Sequence, residues 1–122
     1  CHAVLERGPR YEAGAEPESR AWSSNHRLRY RWALDRMWEG VVQPNDARWQ
    51  EGSEVLAKPA IEPEHLPASV PPDVAALRTK VPEIGTRARG AKDFEARSAV
   101  LAEVISACAS CHASARATPA PD

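Results

Sequence analysis

At 122 residues the chain has the length of one domain, able to bury roughly two-thirds of the surface its unfolded form exposes. Its 16 Lys and Arg nearly cancel its 17 Asp and Glu, so no global charge argues for a nucleic-acid partner. No apolar run approaches the ~20 residues of a membrane-crossing helix, and with two of the 3 cysteines claimed by one motif no disulfide framework is left.

Residues 1–22 hold no sustained apolar period and contain Gly8-Pro9, Gly14 and Pro17, so they read as an irregular arm. The first residue is Cys1, and cleavage just before a cysteine is what bacterial lipoprotein maturation leaves. Cys1 is therefore a candidate lipid-bearing thiol, with the polar stretch Ala13 to Ser19 as tether. Two other readings stand beside it: an arbitrary start, or a Cys1-His2 pair that closes an earlier motif.

A first helix is expected from about Ser23 to Val42, where Tyr30, Leu34, Met37 and Val41 recur four, three and four apart. Trp38 and Val42 widen that stripe, and Ser23 or Ser24 would cap it. Pro44 stops the helix, and Asn45 is placed to cap a second one from Asp46 to about Ala57, with Trp49, Ser53 and Leu56 inward. Lys58 to Pro72 carries five prolines and reads as an irregular crossover.

A third helix follows from Asp73 to about Arg89 on Val74, Leu77, Val81, Ile84 and Ala88, with a kink expected at Pro82 and an end at Gly90. Asp93 caps a fourth helix reaching about Ala115, with Phe94, Leu101, Val104, Ile105 and Cys108 inward and His112 continuing the line. No segment alternates with period two. The expected fold is all-α, an antiparallel four-helix bundle over residues 23–116, with a fraying tail at 117–122.

The fourth helix carries Cys108-Ala109-Ser110-Cys111-His112, the attachment pattern of c-type haem. Each thiol adds across a vinyl group of the macrocycle, and the adjacent imidazole then serves as proximal iron ligand. One helical turn brings both sulfurs and the ring to one face, which is why the chemistry needs this spacing. A structural zinc site would need a second Cys or His pair, but Cys1, His2, His26 and His65 are isolated. A thioredoxin-type motif would follow a strand, and here the preceding residues read as helix. A buried cysteine pair with an incidental histidine is the plainest rival. The haem reading implies one covalent haem c and an exported protein, since attachment to CxxCH takes place outside the bacterial cytoplasm.

A four-helix bundle with CxxCH on its last helix resembles the class II cytochromes c, the cytochrome c′ and cytochrome c556 family. The likeness spans about Ser23 to Arg116. It rests on the pentapeptide, on Arg116 four positions beyond His112, on Arg36-Met37 with Val41-Val42, and on Phe94-Glu95-Ala96. The Pro-rich crossover, Pro82 and 4 tryptophans depart from the family pattern. The resemblance implies a haem bundle that acts as an electron carrier or a gas-binding protein. It places Arg116 beside the haem and allows a homodimer through the first two helices, with Trp38 or Trp49 as contacts.

In an up-down-up-down bundle the first helix starts where the last one finishes. With about 1.5 Å of rise per residue in each, His112 falls level with His26 and Cys108 with Tyr30. His26 on the iron would give a six-coordinate site suited to electron transfer. Tyr30 covering an open position would give a five-coordinate site able to take NO or CO. Met37 lies two to three turns deeper and fits core packing, His65 suits the surface, and His2 would need an ordered arm. Arg27, Arg29, Arg31, Arg78 and Arg89 are candidates to neutralise propionates.

Three functions follow as expectations. The first is a monohaem electron carrier between redox protein partners in the periplasm or on the outer face of the membrane. The second is a gas-binding protein, and the third a lipid-anchored cytochrome subunit of a membrane complex. No Ser-His-Asp set, paired acid/base carboxylates or phosphate-binding loop argues for an enzyme.

Overall fold

The computed structural model describes residues 20–22, 25–59 and 72–117. They form α1 (His26–Val42), α2 (Asp46–Ala57), α3 (Pro72–Ala88) and α4 (Phe94–Ala117), with no strand among the described residues.

Side-chain caps set the helix starts. Asn45 Oδ1 accepts from the Arg48 N–H at 3.1 Å and opens α2, and Asp93 Oδ1 accepts from the Ala96 N–H at 2.8 Å and opens α4. The cap of α1 is Asn25, whose Oδ1 accepts from the Arg27 N–H at 3.0 Å; Ser23 and Ser24, the expected caps, lie outside the described residues. α3 starts at Pro72, one residue early, because a first-turn position needs no N–H donor. Pro82 leaves α3 continuous, and the Thr86 hydroxyl donates to the Pro82 carbonyl at 3.0 Å. The arm before residue 20, most of the crossover and the tail after 117 lie outside the described residues.

Each helix packs on its two neighbours in the ring α1, α2, α3, α4, and the α1–α4 seam is the sparsest. Connections of a few residues, 43–45 and 89–93, make α1/α2 and α3/α4 antiparallel. The Trp49 indole N–H at the start of α2 donates to the Ala88 carbonyl at the end of α3, at 2.8 Å, which sets those two helices antiparallel as well. The bundle therefore runs up-down-up-down. Met37, Trp49, Ser53, Leu56, Ile84 and Val104 fill its centre without solvent contact. Among the described residues, no helix is long and apolar enough to cross a membrane.

Four expected core positions turn outward. Phe94 is 70% exposed and Ile105 51%, while Trp38 and Val42 are 58% and 55% exposed. The inner line of α4 runs Arg97, Leu101, Val104, Cys108, and Phe94 and Ile105 sit on its shoulder, too far round the helix to be covered. On α1 the inner face is Tyr30, Ala33, Met37, Gly40 and Val41, which leaves Leu34 half-buried at its margin.

Gly40 and Gly52 hold α1 and α2 close. A Cβ on Gly52 would lie 2.5 Å from the Ala33 carbonyl oxygen and 2.7 Å from Met37 Cγ, and one on Gly40 would lie 2.7 Å from Trp49 Cβ. Helix propensity alone would favour Gly52→Ala by about 1 kcal/mol. Because the obstacle is backbone, we expect Gly52→Ala instead to destabilise the fold by about 1–3 kcal/mol in urea unfolding. A stabilised variant would contradict this close approach.

Candidate haem-attachment site

The core line of α4 leads directly into the pentapeptide. Cys108 packs at the edge of the hydrophobic core, half-buried; Cys111 is half-buried one turn on, and His112 is exposed. Both thiols are free. Burial, with a smaller contribution from neighbouring Cys111, pushes the Cys108 thiol above its ordinary pKa, so it stays protonated at neutral pH.

From Val104 to Ser114 the helix carries no charged side chain, and the residues flanking the thiols are Ala107, Ala109, Ser110, Ala113 and Ser114. A flat macrocycle laid on this face would meet no long side chain. Two thiols, an accessible imidazole and a small-residue surface are the donor set that a covalently held haem requires. Among the described residues no group of three or more His, Cys, Asp or Glu is gathered, so these residues do not assemble a four-ligand zinc site.

The α1–α4 register is held by Arg97, whose Nη1 donates to the Gly40 carbonyl at 3.2 Å. Fourteen residues back from Gly40 is His26, and fourteen on from Arg97 is Cys111, so His26 and the pentapeptide share one end of the bundle. His26 is half-buried in the first turn of α1, and Tyr30 is buried one turn later. Their rings meet edge to face, with centroids 6.4 Å apart and planes at 70°. This juxtaposition matches the register expected from helix lengths to within about one residue.

Other candidates separate by position. Met37 is fully buried in the core, about two turns below Tyr30. Arg31 pairs with Asp35 at 3.9 Å, Arg29 Nη2 donates to the Lys58 carbonyl at 3.1 Å, and Arg27 is exposed. Arg78 is half-buried in the first half of α3, towards the same end of the bundle. Arg89 lies in the α3–α4 turn at the opposite end, which removes it as a partner for a group held at Cys108 and Cys111. Trp49, a suggested dimer contact, is fully buried with its N–H bonded inside the bundle, whereas Trp38 is exposed. Arg116 falls on the last turn of α4, but its side chain lies outside what the structure describes, as do Cys1, His2 and His65.

Sequence reasoning missed Arg97. It is 4% exposed, donates through Nε to the Ala91 carbonyl at 3.3 Å, pairs through Nη2 with Asp46, and stacks over Trp49 at 5.4 Å. Its spacing from Leu101 and Val104 was the available signal. A charged residue on an apolar line reads as an interruption unless its partners are known.

Comparison with protein-family models, curated proteins and solved structures found no match for this chain.

Proposed function

We propose that this chain is a monohaem c-type cytochrome that passes single electrons between protein partners outside the cytoplasm. The observation that carries this reading is the placement of Cys108, Cys111 and His112 at the one end of α4 that faces His26 and Tyr30 of α1. The resemblance to class II cytochromes c supports it, since that family also carries CxxCH on the last helix of a bundle.

A covalently held haem supplies a one-electron iron couple. The residues of the chain do the rest. Cys108 and Cys111 would hold the ring through thioether bonds, each thiol adding across a vinyl group, and His112 would offer its imidazole to the iron. His26, in the first turn of α1, would offer a second nitrogen. Tyr30, buried one turn on, would help to keep water from that site.

A five-coordinate, gas-binding site is favoured by one observation: Tyr30, at 8% exposure, is more deeply buried than His26. The two readings separate on the absorption spectrum of the reduced holoprotein before and after CO. A low-spin spectrum unmoved by CO supports the electron carrier. An immediate shift supports the open site with Tyr30 as cover. His26→Ala is expected to convert the low-spin spectrum to a five-coordinate, CO-responsive one; a low-spin spectrum unchanged by the substitution removes His26 as ligand.

A further inference from the structure

The end of the bundle that carries the pentapeptide is unbalanced in charge. Three contacts define which residues lie there. Arg29 Nη2 meets the Lys58 carbonyl at 3.1 Å, which sets the end of α2 beside the start of α1. Arg97 joins Gly40 at 3.2 Å, which sets the end of α4 beside the start of α1. Arg87 Nη2 donates to both Glu103 carboxylate oxygens at 2.8 Å, and nine residues from each, in opposite directions, stand Arg78 and His112.

The site end thus comprises residues 26–33, 54–58, 72–86 and 104–114. Among these residues six Lys and Arg stand against three carboxylates, Glu54, Asp73 and Glu83. Arg31 is paired with Asp35 one turn deeper, but Arg27, Arg29, Lys58, Arg78 and Lys80 have no carboxylate partner among the described residues. The far half is mixed, with Arg36, Glu39, Arg48 and Glu51 paired among themselves. Among the described residues this end therefore carries an excess of positive charge that the chain's net charge of −1 conceals.

We infer that this basic end is a docking surface for a redox protein carrying carboxylates around its own centre. This rests on the electron-carrier reading. Unpaired surface cations focus a positive potential, which speeds encounter with an anionic partner and orients it. Trp22 and Leu28, 59% and 44% exposed, stand among these cations, and exposed aromatic side chains beside arginine make effective contact centres. Lys58 Nζ lies 3.9 Å from the centroid of the Trp22 ring, holding cation and indole as one unit. A protein is favoured over an anionic lipid surface because His112 is exposed at this same end of the bundle. An electron-transfer partner must approach that spot, and lipid would cover it.

The test uses the haem-loaded chain and two small oxidants of opposite charge, trianionic hexacyanoferrate(III) and tricationic tris(phenanthroline)cobalt(III). Each takes one electron from the ferrous protein, leaving ferric protein and the reduced reagent. Raising salt between about 10 and 300 mM is expected to slow hexacyanoferrate several-fold and to speed the cobalt complex. Lys58→Glu with Lys80→Glu should flatten both trends while leaving the absorption spectrum unchanged.

The net charge alone predicts the reverse signs, so reversed or flat dependences in the parent protein would overturn the inference. Co-sedimentation with phosphatidylglycerol vesicles at about 150 mM salt, lost in the same variant, would also overturn it in favour of lipid. A purified chain without covalent haem would fail the electron-carrier reading and this inference together. A haem-loaded chain with the wrong salt dependence would fail this inference alone.

Discussion

Replacing Cys108 and Cys111 together with serine is expected to abolish covalent haem retention. After expression with a c-type attachment system, the parent chain should migrate on a denaturing gel with haem-linked peroxidase staining and gain the mass of one haem. The double variant should show neither. The reason is chemical rather than steric: a thiol adds readily across a vinyl group, and an alcohol does not.

Serine is close to cysteine in size, so the helices should survive. The larger structural effect should come at Cys108, which packs against the core and would place a hydroxyl at its edge, a cost of about 1 kcal/mol. Cys108→Ala serves as the control without that polar group. Each single variant should keep one thioether and stay stained, with a pyridine haemochrome band shifted towards that of a ring retaining one free vinyl. His112→Ala should retain the covalent ring but change its spectrum. A parent chain that takes up no haem under these conditions would overturn the cytochrome reading.

The sequence was legible wherever one residue decided a local outcome. Asn45 and Asp93 cap the helices they were expected to cap, and α2 spans Asp46–Ala57 as its spacing predicted. Trp49, Ser53 and Leu56 are fully buried together because they fall on one face of a short helix with little other apolar surface. Outcomes that depend on several helices at once were harder to read. Phe94 and Ile105 have the hydropathy of core residues, but whether α1 reaches round to cover them is a property of the α1–α4 seam. Gly40 and Gly52 carry no hydropathy signal at all, yet they fix the α1–α2 distance.

That His26 and the pentapeptide share one end of the bundle was legible because it needs only helix lengths and alternating direction. The basic end was not: Arg27 and Lys80 are far apart in sequence, and only the register brings them to one surface.

Arg97→Met is expected to destabilise the bundle by about 2–4 kcal/mol at pH 7, read from urea unfolding. Methionine can fill much of the space over Trp49, so most of the loss should come from hydrogen bonds. The guanidinium satisfies the Ala91 carbonyl, adds a second donor to a Gly40 carbonyl already bonded to the Asn45 N–H, and pairs with Asp46. These contacts tie the end of α1, the start of α2 and the α3–α4 turn to one buried cation on α4.

The effect should also depend on pH. The Arg97 hydrogen bond first, and its charge second, hold the Asp46 carboxyl below its ordinary value. A folded-state pKa below the unfolded one, about 3.9 for aspartate, contributes stability above that value and loses it as pH falls through the folded pKa. The parent chain should therefore lose this contribution on acidification, whereas the variant has none to lose. The gap between their unfolding free energies should narrow below about pH 4, and a gap unchanged down to about pH 2.5 would show that Asp46 contributes nothing through Arg97. Because the same arginine sets the α1–α4 register at Gly40, the contact proposed between His26 and the haem should weaken in the haem-loaded variant. Its visible spectrum should gain high-spin character under conditions where the chain is still folded.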